Sequence, residues 1–370
     1  MNVIAETFAP GEFLREELES RGWTQVELAE IIGRPTRLVN EIIAGKKGVT
    51  PETAIQLGEA LGTGAELWMN LESQFQLSKV KKSNDLIVRR AHLYGKYPVR
   101  DMIKRGWIQA SESIDVLEQQ FLRFFSISSL DEEPEVAHAA KKTGEAPASM
   151  VQKAWLKRAQ QLAKAAPVSG TFSDEALDEC NAELKRCLGH VEAAKNVPAI
   201  LAKAGIRLVI LEPLPGAKIG GACFWLDPKS PVVAHALRFD RIDNFWHTLM
   251  HELDHVRHRE GMERPIVESL DESDWSKLSP NERRANEAGA EFLVARSEMQ
   301  GFVARVNPMF TKQQIIGFAL RIGVHPGIVV GQLQNDGCIP FSFHKDTLEK
   351  VRAVVAPMAL TDGYGQTVNI

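Results

Sequence analysis

Residues 244–256 read Asn-Phe-Trp-His-Thr-Leu-Met-His-Glu-Leu-Asp-His-Val, an apolar helical run that contains an H-E-x-x-H pattern. Because an α-helix turns every 3.6 residues, His251 and His255 project from one face one turn apart, and both imidazoles can reach a single ion. Two neutral nitrogens with an open coordination position suit zinc. Glu252 lies beside that face, where it can accept a proton from a water molecule whose pKa the metal lowers to roughly 7. The stretch predicts a zinc-dependent hydrolytic site with Glu252 as general base.

A catalytic zinc site needs a third protein ligand, and the helical run at 281–293, Asn-Glu-Arg-Arg-Ala-Asn-Glu-Ala-Gly-Ala-Glu-Phe-Leu, offers one. A carboxylate from Glu282 would complete a set of two histidines and one glutamate. Asn286 follows one turn later on the same face, where its side chain can hydrogen-bond a metal-binding residue and orient it. Glu287 and Glu291 compete with Glu282 for the role of third ligand.

These two runs resemble the ImmA/IrrE family of zinc metallopeptidases, through His-Glu-Leu-Asp-His at 251–255 and Glu-Arg-Arg-Ala-Asn-Glu-Ala-Gly-Ala-Glu-Phe-Leu at 282–293. The preceding stretch 238–246, Arg-Phe-Asp-Arg-Ile-Asp-Asn-Phe-Trp, stands where that family commonly has a stretch similar to Arg-x-Asp-x-x-x-Phe-Trp. The resemblance covers residues from about 200 to about 340. It implies a zincin-like domain that hydrolyses a peptide bond.

The resemblance also implies the roles of individual residues: His251, His255 and Glu282 as metal ligands and Glu252 as the catalytic base. The implied cofactor is one Zn2+ per chain, with Mn2+ as an alternative, because metal availability also decides which ion a site holds. The sequence departs from the family at Gly289 and at 294–295, where Ala and Met-Pro are more common. We expect these departures to affect helix packing more than chemistry.

Four other side chains near this motif leave alternatives open. His325 is a candidate second catalytic group that would stabilise the oxyanion, although a histidine before proline at a helix start is more often a cap or packing residue. A fourth protein ligand, such as His247 or Asp254, would turn a catalytic zinc into a structural one. His235, on a predicted strand, could flank an extended substrate added at the sheet edge.

A second motif lies near the N-terminus, where 23–33 and 34–45 predict two helices joined by a tight turn at Gly33. This spacing is typical of a helix-turn-helix, whose second helix presents a polar face to DNA. The residues predicted to reach base edges are Thr36, Arg37, Asn40 and Glu41, and those suited to phosphates are Arg34, Lys46 and Lys47.

Residues 8–76 resemble the HigA-type antitoxins, a branch of the Cro/cI-like (XRE) helix-turn-helix family, through 8–18 (Phe-Ala-Pro-Gly-Glu-Phe-Leu-Arg-Glu-Glu-Leu) and 24–29 (Thr-Gln-Val-Glu-Leu-Ala). This implies binding to a double-stranded DNA operator as a homodimer on two half-sites. Trp68 and Phe75 could form the dimer contact or belong to the core. A bundle that only binds proteins is the alternative to DNA binding.

The length of 370 residues favours several domains. We predict a multidomain chain: an all-α helix-turn-helix domain at 1–78, a mostly helical linker and lead-in at 79–195, an α+β zincin-like metallopeptidase domain at 196–340 and a C-terminal tail at 341–370. Helical spacing predicts five short helices over residues 10–76. In the third domain the patterns predict strands at 205–211, 220–226 and 231–237, and helices at 240–260, 280–300 and 312–335.

Composition narrows the class of protein. Hydrophobic residues make up 44% and charged residues 25%, which is typical of folded protein and excludes a disordered chain. There is neither a secretory signal nor a run approaching the roughly 18 apolar residues of a membrane span. The four cysteines lack C-x-x-C spacing, which fits a reducing compartment. We therefore expect a cytoplasmic protein with no membrane partner.

The net charge of −4 conceals a basic segment at 79–105, in which nine Lys or Arg face only Asp85 and Asp101. Such a run is usually a solvated helix face. Beside a DNA-binding domain it could also follow phosphates.

The sequence thus predicts a dimeric transcriptional regulator of HigA-antitoxin type with a metallopeptidase domain that cleaves a repressor or stress regulator. One alternative is a non-proteolytic antitoxin and autorepressor whose metal domain senses a signal or binds a partner such as a toxin. Another is a domain that cleaves its own linker, within 131–170, and so releases the DNA-binding domain.

Overall fold

The computed structural model describes residues 8–79, 85–134, 148–267 and 278–368, together with the backbone of 141–142 and 268–269. The chain forms two compact units, Met1–Val88 and Arg89–Ile370. Of the segment 131–170 that was considered for self-cleavage, residues 135–140 and 143–147 lie outside the described residues.

Residues 8–79 form five α-helices, which confirms the helical prediction for the N-terminal domain: α1 Pro10–Arg21, α2 Gln25–Ile31, α3 Thr36–Ile43, α4 Pro51–Leu61 and α5 Ala65–Lys79. A capping box begins α2, since the Thr24 side chain accepts from the Glu27 N–H and the Glu27 carboxylate accepts from the Thr24 N–H. Gly62 ends α4 with φ 67, a conformation that glycine adopts without steric cost.

The core of this bundle contains Leu14, Leu28, Val39, Ile42, Leu57 and Trp68. The Trp68 indole is fully buried, donates its Nε1–H to Thr63 Oγ1 at 2.9 Å and packs edge-on against Phe13. Trp68 is therefore a core residue and is not available as a dimer contact. Phe75 is half-buried, with the Lys79 ammonium 3.8 Å from its ring centroid.

Helices α1 and α3 meet at their backbones. A Cβ atom on Gly11 would lie 2.2 Å from the carbonyl oxygen of Ile42 and 2.8 Å from that of Ile43. The glycine thus permits the contact that fixes the end of α3, the second helix of the helix-turn-helix, against α1.

The described part of the second unit contains six strands: β1 Lys141–Lys142, β2 Arg207–Leu211, β3 Ile219–Trp225, β4 Pro231–His235, β5 Ile266–Ser269 and β6 Leu360–Asp362. Its described helices, after α6 Leu86–Lys96 which crosses the boundary, are α7 Val99–Lys104, α8 Ile114–Phe125, α9 Met150–Ala165, α10 Asp174–Lys185, α11 Val197–Lys203, α12 Ile242–Arg257, α13 Pro280–Leu293, α14 Arg296–Val306, α15 Lys312–Ile322, α16 Pro326–Asn335 and α17 Arg352–Val355. Short 3-10 helices lie at Val191–Asn196, Lys345–Thr347 and Ala356–Met358.

The strands form one mixed sheet in the order β1-β5-β3-β4-β2-β6. Strand β3 is antiparallel to both β4 and β5, whereas β2 is parallel to β4 and β6, and β1 is parallel to β5. The three strands predicted from sequence are present and share this sheet.

Both faces of the sheet are covered by helices, because successive strand residues point to opposite sides and both sets are apolar. Leu208, Ile210 and Cys223 belong to one core with α12 and its neighbours. Val209 and Phe224 belong to a second core, with Phe121 of α8 and Trp155 of α9.

This arrangement differs from the predicted division of the chain. Helices of the predicted linker, α8 and α9, form one layer of the second unit, since the sheet needs cover on that face. The predicted tail supplies β6, whose buried Asp362 accepts hydrogen bonds from Arg158 Nε at 2.6 Å and Trp107 Nε1 at 3.2 Å. The predicted helix at 280–300 is broken at Val294, and the one at 312–335 at Gly323.

Among the described residues, no single helix is long and apolar enough to cross a membrane. Helices α15 and α16 pass that test only as a pair, and they are bent by 113° at the break between them.

Candidate metal centre and nucleic-acid surface

Helix α12 carries the H-E-x-x-H pattern in the interior of the second unit. His251 and His255 are both fully buried, and their Nε2 atoms lie 3.1 Å apart. Helix α12 packs against α13, where Gly289 leaves room: a Cβ there would lie 3.3 Å from the His247 carbonyl oxygen. Gly289, where the resembled metallopeptidases more often have Ala, thus lies at the contact between the two helices.

Helix α13 brings Glu282 to the two histidines. The Ser279 side chain caps this helix and accepts from the Glu282 N–H, so Glu282 lies in the first turn. Its Oε2 is 3.1 Å from His251 Nε2, and its Oε1 is 3.6 Å from His255 Nε2. Glu287 and Glu291, the competing candidates, are exposed. The three ligand atoms lie within 4.8 Å of one another, the one such cluster found among the described residues.

These separations match those of a tetrahedral zinc site. Ligands about 2.0–2.1 Å from a tetrahedral ion lie about 3.3 Å from one another. The imidazole nitrogens are 3.1 Å apart, and the nearest carboxylate oxygen is Oε2 for His251, at 3.1 Å, and Oε1 for His255, at 3.6 Å, so these distances lie close to that value. Two imidazoles and one carboxylate are also a donor set that zinc accepts, so the residues present fit the ion.

The second nitrogen of each imidazole is also fixed. His251 Nδ1 lies 3.0 Å from Asn286 Oδ1, and His255 Nδ1 lies 2.6 Å from Glu260 Oε2. Both oxygens are acceptors, so each Nδ1 donates its hydrogen, and each Nε2 can offer its lone pair to a metal once its own proton has left. This is the tautomer in which Nε2 can bind a metal.

The site is rich in negative charge. Burial alone would raise the pKa of Glu282, but hydrogen bonds from His251 and His255 outweigh it and lower the pKa to about 2. Burial would likewise lower the pKa of His255, but its hydrogen bonds to Glu260 and Glu282 raise that pKa to about 10. The buried carboxylates therefore require positive charge beside them, from an imidazolium or from a cation.

Glu252 is fully buried and lies against β3. A Cβ atom on Gly221 would be 2.5 Å from Glu252 Oε1 and 2.9 Å from the Thr248 Cγ2 atom. Gly221 therefore provides the space that the carboxylate occupies beside the sheet.

His325 lies away from this cluster. Its Nδ1 accepts from the Gly327 N–H at 3.0 Å, and its Nε2 lies 3.1 Å from Glu349 Oε1. This end of α16 touches Ile242, the first residue of α12. Nine residues of helix, about 13.5 Å, separate Ile242 from His251. The predicted catalytic role of His325 does not fit this position, and the residue is a helix cap.

His247 and Asp254 also lie outside the three-residue cluster. Asp254 Oδ2 accepts from Arg284 Nε at 2.8 Å, and the His247 ring centroid is 6.4 Å from that of His251. Neither residue supplies the fourth ligand that would make the site purely structural.

His235 is buried and ties β4 to α12. Its Nδ1 accepts from the Leu237 N–H at 2.9 Å, and its Nε2 donates to the Phe245 carbonyl oxygen at 3.2 Å. Strand β4 lies between β3 and β2, so the prediction that His235 flanks a substrate at the sheet edge is wrong. The residue is structural.

Because His235 is buried, we expect the folded protein to lose stability in acid. Burial lowers its pKa to about 4, so the neutral ring stabilises the fold above the unfolded pKa of about 6.5, and this stability is lost as the pH falls toward 4. At about pH 5 the loss is about 2 kcal/mol, since one pKa unit is 1.36 kcal/mol. Urea unfolding of the metal-free protein at about pH 7.5 and about pH 5 measures it.

The matched comparison uses His235→Asn. Between about pH 7.5 and about pH 5, the free energy of unfolding of this variant should fall by about 2 kcal/mol less than that of the wild type. His190→Asn, at an exposed position, keeps the wild-type pH dependence. Equal pH dependence in the wild type and in His235→Asn contradicts the prediction.

Sequence reasoning missed Glu260, Arg284 and Gly221. Glu260 follows the end of α12, where helical spacing no longer applies, and Arg284 reaches it from α13 at 2.8 Å. Gly220 and Gly221 in β3 were a signal in the sequence, because adjacent glycines in a strand often mark a place where another group approaches closely.

In the first unit, α3 presents the predicted base-contacting face. Arg37 and Asn40 are exposed, and Thr36 and Glu41 are half-buried. Arg37 Nε donates to Glu41 Oε1 at 2.7 Å, an ion pair along the helix surface. The predicted phosphate contacts lie beyond its two ends: Lys46 and Lys47 are exposed after α3, and Arg34 donates to Gln56 Oε1 at 2.8 Å.

Four of the nine cations of the basic segment 79–105 have partners within the second unit, whereas Lys81 and Lys82 lie outside the described residues. Arg89 bonds Glu118 at 3.0 Å, and Arg105 bonds Glu212 at 2.9 Å. Arg90 and Lys96 donate to the carbonyl oxygens of Glu112 and Leu130. These four cations make contacts within the second unit. For these four residues, the contacts favour a role in the protein's own structure over a role in binding DNA phosphates.

Comparison with known proteins matches residues 14–68, within the α1–α5 bundle, to the family described as helix-turn-helix. Virulence-associated protein I of Dichelobacter nodosus is 32% identical over 79 residues, which cover 21% of this chain and 73% of that protein. The uncharacterized HTH-type transcriptional regulator YddM of Escherichia coli (strain K12) is 27% identical over 77 residues, 21% of this chain and 82% of the relative. Among solved structures, antitoxin HigA of Pseudomonas aeruginosa with the higBA promoter is 34% identical, covers 20% of this chain and 80% of its own, and has a TM-score of 0.19.

Proposed function

We propose that this chain, which belongs to the helix-turn-helix family through its N-terminal domain, is an operator-binding regulator that carries a zinc-dependent metallopeptidase domain. The N-terminal domain is a helix-turn-helix DNA-binding domain of the transcriptional-regulator type, and we infer that it is of the HigA-antitoxin kind. The peptidase part of the proposal rests on one observation: the ligand atoms of His251, His255 and Glu282 lie within 4.8 Å of one another in the interior of the second unit.

The chain's own residues supply the binding and the proton chemistry. His251, His255 and Glu282 would hold the ion, with each imidazole oriented by its Nδ1 acceptor. A bound Zn2+ lowers the pKa of water to about 7 and polarises a carbonyl group. Glu252 accepts the proton of the attacking water and returns it to the departing amine nitrogen.

Several features support this role for Glu252. It follows His251 directly on α12, so it is carried by the same rigid helix as two of the ligands. Its carboxylate is buried against Gly221, which keeps bulk water away from it. A base held in this way loses little entropy when the substrate binds.

We infer three kinds of partner for the whole chain: a double-stranded DNA operator, a second copy of the chain, and a protein that the second unit cleaves. A dimer follows from the way helix-turn-helix domains read two half-sites one DNA turn apart. The protein substrate in this proposal is a repressor or stress regulator. Mn2+ is the alternative ion at the same ligands.

Metal content and cleavage test the proposal together. Mass spectrometry on the purified wild type should find about one zinc per chain, and cleavage of added repressor proteins should stop when a chelator removes the metal and resume when zinc is restored. A wild type that binds no metal overturns the metal site. A zinc-loaded protein that cleaves none of its co-expressed regulators overturns the peptidase and favours a metal domain that senses a signal or binds a toxin.

Asn40 and Lys47 should have different effects on DNA binding. Asn40→Ala is expected to cost about 1–3 kcal/mol and to relax the preference at one base pair, because asparagine pairs with a base edge. Lys47→Ala should weaken binding to all DNA sequences alike. It should also reduce the salt dependence of the affinity by the amount expected for about one phosphate contact. Fluorescence anisotropy on a set of operator variants at several salt concentrations measures both.

The exposed cation Arg15 on α1 provides the control for charge alone. Arg15→Ala should leave the operator preference and the salt slope near those of the wild type. An Asn40→Ala protein with an unchanged base preference contradicts the assignment of α3 as the reading helix.

A further inference from the structure

We propose that Glu260, clamped by Arg284, is a positioning residue that fixes the His255 imidazole and thereby sets the metal affinity of the site. The inference deepens the proposed zinc function and rests on it. Its basis is a set of contacts around Glu260 that hold both its backbone and its side chain.

The contact between Glu260 and His255 is direct. Glu260 Oε2 lies 2.6 Å from His255 Nδ1, the nitrogen that faces away from Glu282. His255 is fully buried, and the Glu260 side chain is 16% exposed, so the contact is largely shielded from water. A charged hydrogen bond in such a place restrains the ring and makes Nε2 a stronger donor to a metal.

The backbone turns after the end of α12, so that Glu260 packs against the last turn of this helix. The Glu260 N–H donates to the His255 carbonyl oxygen at 2.9 Å. Arg259 has a φ of 54 and Gly261 a φ of 81, so the backbone reverses on both sides of Glu260. A Cβ on Gly261 would lie 2.6 Å from the Cys223 carbonyl oxygen, so the turn is pressed against β3.

The sheet holds the backbone of the same residue. The Trp225 Nε1–H donates to the Glu260 carbonyl oxygen at 2.9 Å, and the Cys223 thiol lies 3.6 Å from that oxygen. The backbone of Glu260 is therefore fixed by β3 as well as by α12.

Arg284 completes the arrangement from α13. One guanidinium nitrogen donates to Glu260 Oε2 at 2.8 Å, and its Nε donates to Asp254 Oδ2 at 2.8 Å. Arg284 lies two residues after Glu282, so the helix that supplies the third ligand also supplies the clamp. The clamp links the end of α12 to the start of α13.

The two histidines are supported unequally. His251 donates to the neutral amide of Asn286, whereas His255 donates to a carboxylate. Because a charged acceptor holds an imidazole more strongly than an amide does, loss of Glu260 should affect metal binding more than loss of Asn286.

The test measures metal affinity directly, with the full-length chain. Zinc competition against a chelating dye is expected to show roughly 10-fold weaker binding for Glu260→Gln and roughly 100-fold for Glu260→Ala, since Gln keeps a hydrogen-bond acceptor and Ala keeps none. Asn286→Ala should weaken binding less than Glu260→Ala. The visible absorption of the Co2+-loaded protein should shift in the Glu260 variants, because it reports the geometry of the ligands.

Glu263→Gln provides the matched control: it removes an exposed carboxylate from the same turn and should leave affinity and spectrum unchanged. Circular dichroism and thermal unfolding of the metal-free proteins show whether each variant folds. Glu260→Gln changes one atom and keeps the backbone contacts to Trp225, so it remains informative if Glu260→Ala does not fold.

The role of Arg284 is tested by asking whether the effect of its substitution on zinc affinity requires Glu260. Arg284→Gln alone should weaken zinc binding by roughly threefold to tenfold, and by nothing further in the Glu260→Ala background, because Arg284 acts through Glu260. Arg283→Gln, at the preceding position of α13, is the control.

The outcomes separate this inference from the proposed function. A wild type that binds no zinc overturns both. A wild type that binds zinc, with Glu260→Gln and Glu260→Ala that bind it as tightly and give the same Co2+ spectrum, overturns the role of Glu260 alone.

Discussion

Replacing Glu252 with Gln is expected to lower the rate of peptide cleavage by about 1,000-fold while about one zinc per chain stays bound. General bases contribute about 100-fold to 10,000-fold, and an amide cannot accept the proton of the attacking water. Glu252 is not among the three clustered ligands, so the metal should remain. Gln has the same shape as Glu and fits the space beside Gly221.

Single-turnover cleavage with zinc in excess measures this effect on the chemical step, and mass spectrometry confirms the metal content. Glu287→Gln, on the exposed side of α13, is the control for loss of one negative charge and should cleave at the wild-type rate. A Glu252→Gln protein that cleaves within about tenfold of the wild type would show that another group takes the proton.

The positions of the proposed metal ligands could be predicted because helix geometry relates them. His251 and His255 lie one turn apart on α12, and a four-residue spacing encodes that relation in the sequence. Glu282 required a choice among three glutamates on one helical run. The structure separates them by burial, since Glu282 is 4% exposed whereas Glu287 and Glu291 are exposed.

Glu260 could not be predicted, because no local pattern connects it to His255. It follows the end of a helix, and its position depends on two reversals of the backbone and on a contact with Trp225 of β3. Such contacts are set by tertiary structure. His325 shows the converse: a titratable residue near a helix start suggested chemistry, and its partners show a cap.

The architecture of the second unit was predictable only in part. Apolar runs between glycines and prolines revealed β2, β3 and β4, but β6 has three residues, which is too short for a pattern. Helices α8 and α9 carry an apolar face, and that face looks the same in a linker helix that packs locally and in a layer that covers a sheet. Their role emerged only from the strands they cover.

Helices α12 and α13 depend on each other at the proposed metal site. Two ligands come from α12 and one from α13, and Gly289 lets the backbones approach. A metal ion held by all three would join the helices, so its binding free energy would add to the stability of the second unit. The weakest point of this link is the single ligand from α13.

Glu282→Ala is therefore expected to lose the zinc and the stability that zinc confers. Structural zinc sites bind with about 10–16 kcal/mol from four ligands, so one ligand is worth roughly 3 kcal/mol, on the order of 100-fold in affinity. The wild type should unfold at a higher temperature with zinc than with a chelator, whereas Glu282→Ala should unfold at nearly the same temperature in both. Differential scanning calorimetry and metal analysis measure the two effects.

Glu287→Ala is the matched control, because it removes a carboxylate from the same helix and was an alternative ligand by sequence. It lies on the exposed face of α13, so it should keep both the zinc and the thermal shift. Glu282→Gln separates shape from charge: the amide fills the same space but is a poor zinc ligand, so this variant should resemble Glu282→Ala. A Glu282→Ala protein that keeps one zinc per chain, together with a Glu287→Ala protein that loses it, would move the third ligand to Glu287 and contradict the geometry of the site.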